Sequence, residues 1–251
     1  MVEPPDSSRP QPGRPSTTSQ AGEFESARLW ASQRQHDETD HHALYARLFQ
    51  PASLDWNTLT VLDVGSGPLS VFEEFAPVGA TVVPYDTLGG QYNELVPSKR
   101  FPIVAVLPAQ QFRLVALLNC LDHMDEPAEL LAHVAPRVAP DGRIWVYCNI
   151  DQPFDPALHP QDFRFWHLVA LVSRFFDIDR CGLVREGRLF PYAWWAICRP
   201  RTAANPLRRV LQAWHVGACG LAFARFHAIR AGVKGVKLAG FRRFLPRDLQ
   251  F

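Results

Sequence analysis

The sequence predicts an α/β fold: a mostly parallel sheet with helices on both faces, a C-terminal antiparallel strand pair, and a helical extension beyond it. Three observations carry this expectation. Short apolar runs alternate with helical stretches between residues 57 and 200, the pattern of a sheet built from crossover units. Runs such as TVLDV and FRLVALLNC are almost continuously apolar, as strands covered on both faces must be. The last two runs follow one another with no helical stretch between them, so they form an antiparallel pair.

Element by element, residues 1–22 are rich in Pro, Ser and Gln with no apolar centre. They are neither a secretory signal nor able to offset their ordering entropy, and are expected to be disordered. Residues 23–56 form an N-terminal helical segment over the active site, its helix reaching Gln50 before Pro51 stops it. Residues 57–200 are the sheet domain. TVLDV (60–64) is the first strand and SVFEEFAP the following helix; ATVVPYD (80–86) is the second strand and FPIVAVL (101–107) a third. FRLVALLNC (112–120) comes next, then a helix through PAELLAHVAPRV, then RIWVYCN (143–149). A helix over residues 162–175 precedes the closing pair FDIDRCGLV and PYAWWAICR. Within that pair, Trp194 and Trp195 are expected to face core and surface respectively, or the reverse.

Five scattered cysteines with no C-x-x-C pair argue against a disulfide framework or a zinc knuckle, and fit a reducing cytoplasm. No apolar run is long enough to span a bilayer. The net charge of +1 conceals an asymmetry. Residues 199–251 hold eleven Lys/Arg and one acid, Asp248, for +10; the rest holds 15 bases and 24 acids, for −9. Residues 201–251 are therefore read as a basic, amphipathic helical extension. It suits either a peripheral membrane contact or docking on the acidic core. Basic residues interleaved with aromatics also suit nucleic acid, but no recognised RNA-binding module is present.

The chemistry centres on VLDVGSGP. Gly65 and Gly67 form a strand-to-helix turn that lets a ligand approach the backbone, and Asp86 closes the second strand at the spacing of a ribose-binding acid. A dinucleotide turn would carry a third glycine where Ser70 stands, and a phosphate-binding loop would carry a lysine. Asp63 instead suits a cationic ligand. Together with VVPYD and FRLVALLNCLDHMDEPAELLAHVAPRVAPDGRIWVYCN, these residues resemble a class I S-adenosylmethionine-dependent methyltransferase, over roughly residues 55–200. The resemblance implies a Rossmann-like sheet and S-adenosyl-L-methionine as cofactor. It implies cofactor contacts at Asp63, Gly65, Ser66, Gly67 and Asp86, with Gln110 or Gln111 a candidate for the adenine and Asn119 for cofactor or substrate.

For catalysis a hydroxyl acceptor needs a base. His123, beside Asp122 and Asp125, is one candidate, although the two acids could simply cap the next helix. His159, in the loop after the fifth strand, is the other. HDETDHH (36–42) contains metal-ligating types but reads better as a solvated helix face, so no metal is expected. Tyr92 reads as packing or an adenosine contact, and Trp30 and Tyr45 as substrate contacts. The expected activity is O-methylation of a small molecule or glycan precursor. Two alternatives stay open here: an NAD(P)-dependent oxidoreductase, and a non-catalytic module for a membrane or protein partner.

Overall fold

The computed structural model describes residues 20–22, 24–28, 38–150, 160–186, 190–201, 213–214, 216–221 and 223–224, without the side chains of 38–42, 185–186 and 190–192. His159, Trp30, the side chains of HDETDHH and most of residues 201–251 lie outside this description, as do residues 1–19. Helical structure begins earlier than expected, at residues 20–22.

Six strands form one sheet in the order β2-β1-β3-β4-β6-β5. They are β1 (Thr60–Val64), β2 (Thr81–Tyr85), β3 (Phe112–Leu118), β4 (Val138–Ile150), β5 (Phe176–Glu186) and β6 (Phe190–Pro200). β1 pairs in parallel with β2 and β3, and β3 with β4. β6 runs antiparallel to both β4 and β5, which is the anticipated closing pair. The strand order reverses between β1 and β3, and a ligand crevice opens where the order of such a sheet reverses.

The expected third strand does not form. FPIVAVL contributes one isolated parallel bridge, Val104 to Tyr85. The Val104 amide donates to the Pro84 carbonyl and the Asp86 amide to the Val104 carbonyl. Pro84 faces this segment and has no N–H, so the next rung is missing, and Pro102 removes a donor from the segment itself.

Alternation along the strands sorts two apolar layers. Leu62, Val64, Val115, Leu117, Ile144 and Val146 face the helices Pro127–Val134 and Phe165–Ser173. Val61, Leu114, Ala116, Trp145 and Tyr147 face the Glu38–Phe49 helix, where Phe49 stacks on Trp145 at 4.8 Å. Trp194 joins the first layer and Trp195 the second, and both are buried. The expectation that one of them meets solvent fails because β6 is an interior strand covered on both faces.

Candidate functional site

A pocket of about 340 Å³ lies where the carboxyl ends of β1, β2 and β3 converge, large enough for a nucleoside-sized ligand. Its floor is the turn after β1. Gly65 (φ 67°) and Gly67 (φ 61°) both occupy the left-handed region, which side chains other than glycine rarely enter. Their surroundings differ. A Cβ on Gly65 would collide with the Cys120 side chain, whereas a Cβ on Gly67 would meet no protein atom within 4 Å. Gly65 is therefore fixed by packing, and Gly67 keeps open a cradle toward the pocket. The Gly65 amide donates to the Tyr85 carbonyl at 2.8 Å, tying the turn to β2.

Asp63 is buried beneath this turn and accepts the Ser70 hydroxyl at 2.7 Å. Ser70 in turn accepts the Phe72 amide at 3.2 Å, so a short relay joins β1 to the start of the next helix. Burial pushes the Asp63 carboxyl up to about 7, against the Ser70 hydrogen bond that lowers it; the Asp86 charge adds a smaller upward push. Asp86 directly follows β2, its carboxylate accepting the Gly67 amide at 3.2 Å and the Leu88 amide at 2.9 Å. The acid is thus fixed against the turn. Ser66 lines the same floor, its hydroxyl 3.3 Å from the Gly67 carbonyl.

The rim comes from the segment after β3. Asn119 takes a left-handed backbone (φ 57°), its amide donating to the Tyr147 carbonyl and its side-chain oxygen accepting Asn149 Nδ2, both at 2.7 Å. His123 lines the pocket from a short 3-10 turn, Leu121–His123. Its Nε2 stands 3.9 Å from the Asp122 carboxylate, near but beyond hydrogen-bond length. Asp122 is fully buried, with Cys148 Sγ 3.6 Å from its Oδ1. The capping reading for Asp122 and Asp125 does not hold: the N-cap of the Pro127–Val134 helix is Glu126, with no side-chain cap. Cys120 also lines the pocket, but burial together with the Asp122, Asp63 and Asp86 charges raises its thiol well above the usual range. That disfavours the thiolate, the nucleophilic form.

One wall is N-terminal. Ser26 and Ala27, from helical residues 24–28, and Tyr45, from the Glu38–Phe49 helix, reach the pocket. Tyr92 lines it too, stacking on Phe24 with ring centroids 6.3 Å apart. Tyr45 also packs edge-on against Tyr147 at 5.1 Å.

Of the residues singled out in the sequence, Asp63, Gly65, Ser66, Gly67, Asp86, Asn119 and His123 come together here. Gln110 does not. It is exposed just before β3, at the amino edge of the sheet and therefore opposite the pocket. The strand expected over FPIVAVL, just before it in the chain, forms a single isolated bridge instead. His159 lies in residues 151–159, outside the description. Sequence reasoning missed Asn149 and Ser26, which reach the site through contacts distant in the chain. It read Ser70 only as an absent glycine. Among the described residues no three His, Cys, Asp or Glu side chains gather as metal ligands.

The residues fit S-adenosylmethionine on two counts visible in the chain itself: an open glycine cradle at Gly67, and two carboxyl groups, Asp63 and Asp86, at the pocket floor. Known proteins agree in fold. The N1-methyltransferase for 1,6-didemethyltoxoflavin from Burkholderia thailandensis, bound to that compound and S-adenosylhomocysteine, superposes with a TM-score of 0.54 at 17% identity, covering 80% of this chain and 99% of that one. The N-methyltransferase NodS from Bradyrhizobium japonicum WM9, in complex with S-adenosylhomocysteine, gives 0.53 at 13% identity, covering 72% and 100%. The (4+2) cyclase SpnF gives 0.58 at 14% identity, covering 78% and 100%. No curated protein matches the chain. A family model described as a methyltransferase domain matches residues 28–180. With that match spanning more than half its length, the chain belongs to the class I S-adenosylmethionine-dependent methyltransferases.

Proposed function

We propose that this methyltransferase moves a methyl group from S-adenosylmethionine to an oxygen of a small molecule or glycan precursor. The observation that carries the acceptor assignment is His123 on the rim of the pocket whose floor holds Asp63 and Asp86. When bound, the cofactor supplies a sulfonium-activated methyl group with a good leaving group. The chain then has three tasks. Asp86, fixed by the Gly67 and Leu88 amides, holds the ribose hydroxyls. Asp63 and the backbone around Gly65 and Ser66 hold the cationic amino acid end by charge and close approach. His123 takes the proton of an acceptor hydroxyl as its oxygen attacks, and Asn119 orients the reacting partners. His159 is the alternative base.

Ser26, Ala27 and Tyr45 close one side of the pocket, which favours an acceptor small enough to be enclosed over a macromolecular one. Two similar structures are named as N-methyltransferases, so amine acceptors are the second reading. An amine that reacts as its free base needs no proton removed before attack, and the two readings separate on that point. The experiment is a titration calorimetry run with S-adenosylmethionine, followed by a product-mass screen of hydroxyl and amine compounds for addition of one CH₂. Cofactor binding with mass gain on hydroxyl compounds is expected. Binding with gain only on amines overturns the oxygen assignment, and absence of cofactor binding by folded protein overturns the activity.

A further inference from the structure

We propose that Gln161 is a positioning residue for His123, its carboxamide fixing the turn that holds the histidine on the pocket rim. This deepens the reading of His123 as the base, on which it rests, by naming the residue through which the chain aims it.

His123 stands on a segment that secures little of itself. The 3-10 turn Leu121–His123 has three residues and no side-chain cap, and so short a turn bonds few of its own backbone groups. It is closed by the His123 amide donating to the Cys120 carbonyl at 3.2 Å and the Met124 amide donating to the Leu121 carbonyl at 3.4 Å. Yet His123 and Met124, one after the other, both line the pocket. A shift of this turn therefore moves the base itself.

Gln161 holds the turn from outside. Its backbone amide donates to the Asp122 carbonyl at 3.4 Å, and its Nε2 donates to the Asp125 carbonyl at 3.0 Å. The two acceptors lie on either side of His123 and Met124, so one residue brackets both pocket side chains. The side-chain bond joins residues 36 positions apart, tying the rim to a different part of the fold. Gln161 is half-buried and sits on a packed segment. The helix expected from residue 162 begins only at Phe165. Phe163, just before it, is buried and joins Phe165, Cys120 and Leu121 in one core cluster. The strap is thus anchored at both ends. A single hydrogen bond contributes modestly to stability, whereas displacing a reacting group by about 1 Å costs about 10²-fold in rate. A positioning role and a merely structural one therefore separate in experiment.

The test uses the full chain and two variants. Gln161→Met keeps the length of the side chain and removes the donor; Gln161→Lys supplies a donor again at similar reach. The first readout needs no acceptor. It is the rate at which diethyl pyrocarbonate acylates His123 at about pH 8, where an ordinary histidine is neutral, followed by mass spectrometry with the exposed His167 as internal reference. That rate should change at least about threefold in Gln161→Met, the weight of one hydrogen bond, and return towards wild type in Gln161→Lys. The second readout is turnover of an acceptor found by the product-mass screen. Gln161→Met should lower kcat about 10- to 100-fold, with the dissociation constant of S-adenosylmethionine within about threefold. On a His123→Ala background the same substitution should lower kcat no further, because residues that act as a unit are not additive.

An unchanged labelling rate in Gln161→Met overturns the proposal, and so does a loss of kcat repeated in full on His123→Ala. A fall in melting temperature with neither effect overturns it too, leaving Gln161 a structural residue. Full kcat in His123→Ala alone overturns the base assignment instead, and the labelling rate then still decides whether Gln161 fixes the turn.

Discussion

Ser70 donates its hydroxyl to Asp63 at 2.7 Å, so the residue standing where a dinucleotide turn has glycine holds the buried acid of this one. The Asp63 carboxyl is pushed from 3.8 up to about 7. Between those values the folded chain keeps a proton that the unfolded chain has lost. The stabilising contribution of Asp63 is therefore full below the unfolded value and disappears as pH rises through the folded one. A shift of this size amounts to at most on the order of 4 kcal/mol. Urea midpoints of wild type and Asp63→Asn, compared at pH 5 and at pH 8, should diverge: the wild type loses more stability over that interval. Equal losses would show that Asp63 titrates like a solvated carboxyl.

The same acid links pH to cofactor. A cationic ligand beside Asp63 favours its ionised form, so binding expels a proton wherever the free protein holds one. Affinity for S-adenosylmethionine should rise between pH 6 and 8, with proton release seen as a buffer-dependent calorimetric enthalpy. Ser70→Ala removes the hydroxyl that favours the carboxylate and should weaken binding about three- to tenfold near pH 7, at a stability cost of about 1–3 kcal/mol.

Gly65 and Gly67 should separate folding from binding. Gly65→Ala adds a collision with Cys120 to a left-handed backbone and should cost several kcal/mol, on the order of 3 or more, read as a large fall in melting temperature. Gly67→Ala carries only the backbone penalty of about 1–2 kcal/mol, because its Cβ meets no protein atom. It should fold and yet bind S-adenosylmethionine at least about tenfold more weakly, since the added methyl fills the cradle. Wild-type affinity in Gly67→Ala would place the cofactor elsewhere.

How far the sequence reached follows from which contacts are local. TVLDV, the glycine turn and Asp86 were legible because strand, turn and acid follow one another along the chain, and one β-α-β crossover places all three at a single sheet edge. Where pairing depends on a distant residue, the sequence fell short. FPIVAVL has a strand's apolar content, but Pro84 across from it removes the donor for the next rung. Trp194 and Trp195 show correct alternation, but the second face is covered by residues distant in the chain, Phe49 among them at 6.2 Å from Trp195. Asn149 stands 30 positions from Asn119, a separation at which one sequence carries no pairing signal.

That Asn119–Asn149 pair is the next test. Asn149 is 8% exposed and donates to the side chain of a pocket residue. Asn149→Leu keeps the branched outline and deletes the donor. It should cost about 1–3 kcal/mol of stability and raise the KM for cofactor or acceptor about tenfold by releasing Asn119. Asn149→Asp, which cannot donate when ionised, should show the same kinetic defect. Unchanged KM in both variants would leave Asn119 oriented by its backbone alone.

His123 decides the chemistry. If it takes the acceptor's proton, His123→Ala should lower kcat by about 10²–10⁴ while leaving the dissociation constant of S-adenosylmethionine within about threefold, because a base contributes to the transition state and little to cofactor binding. The acid limb of the pH–rate profile should vanish with it, since histidine titrates in that range. His159→Ala is the comparison that makes the assignment exclusive: the histidine whose loss removes the limb is the base. Retention of the limb in both single variants would leave proton removal to solvent and point to an acceptor, such as an amine, that arrives already deprotonated.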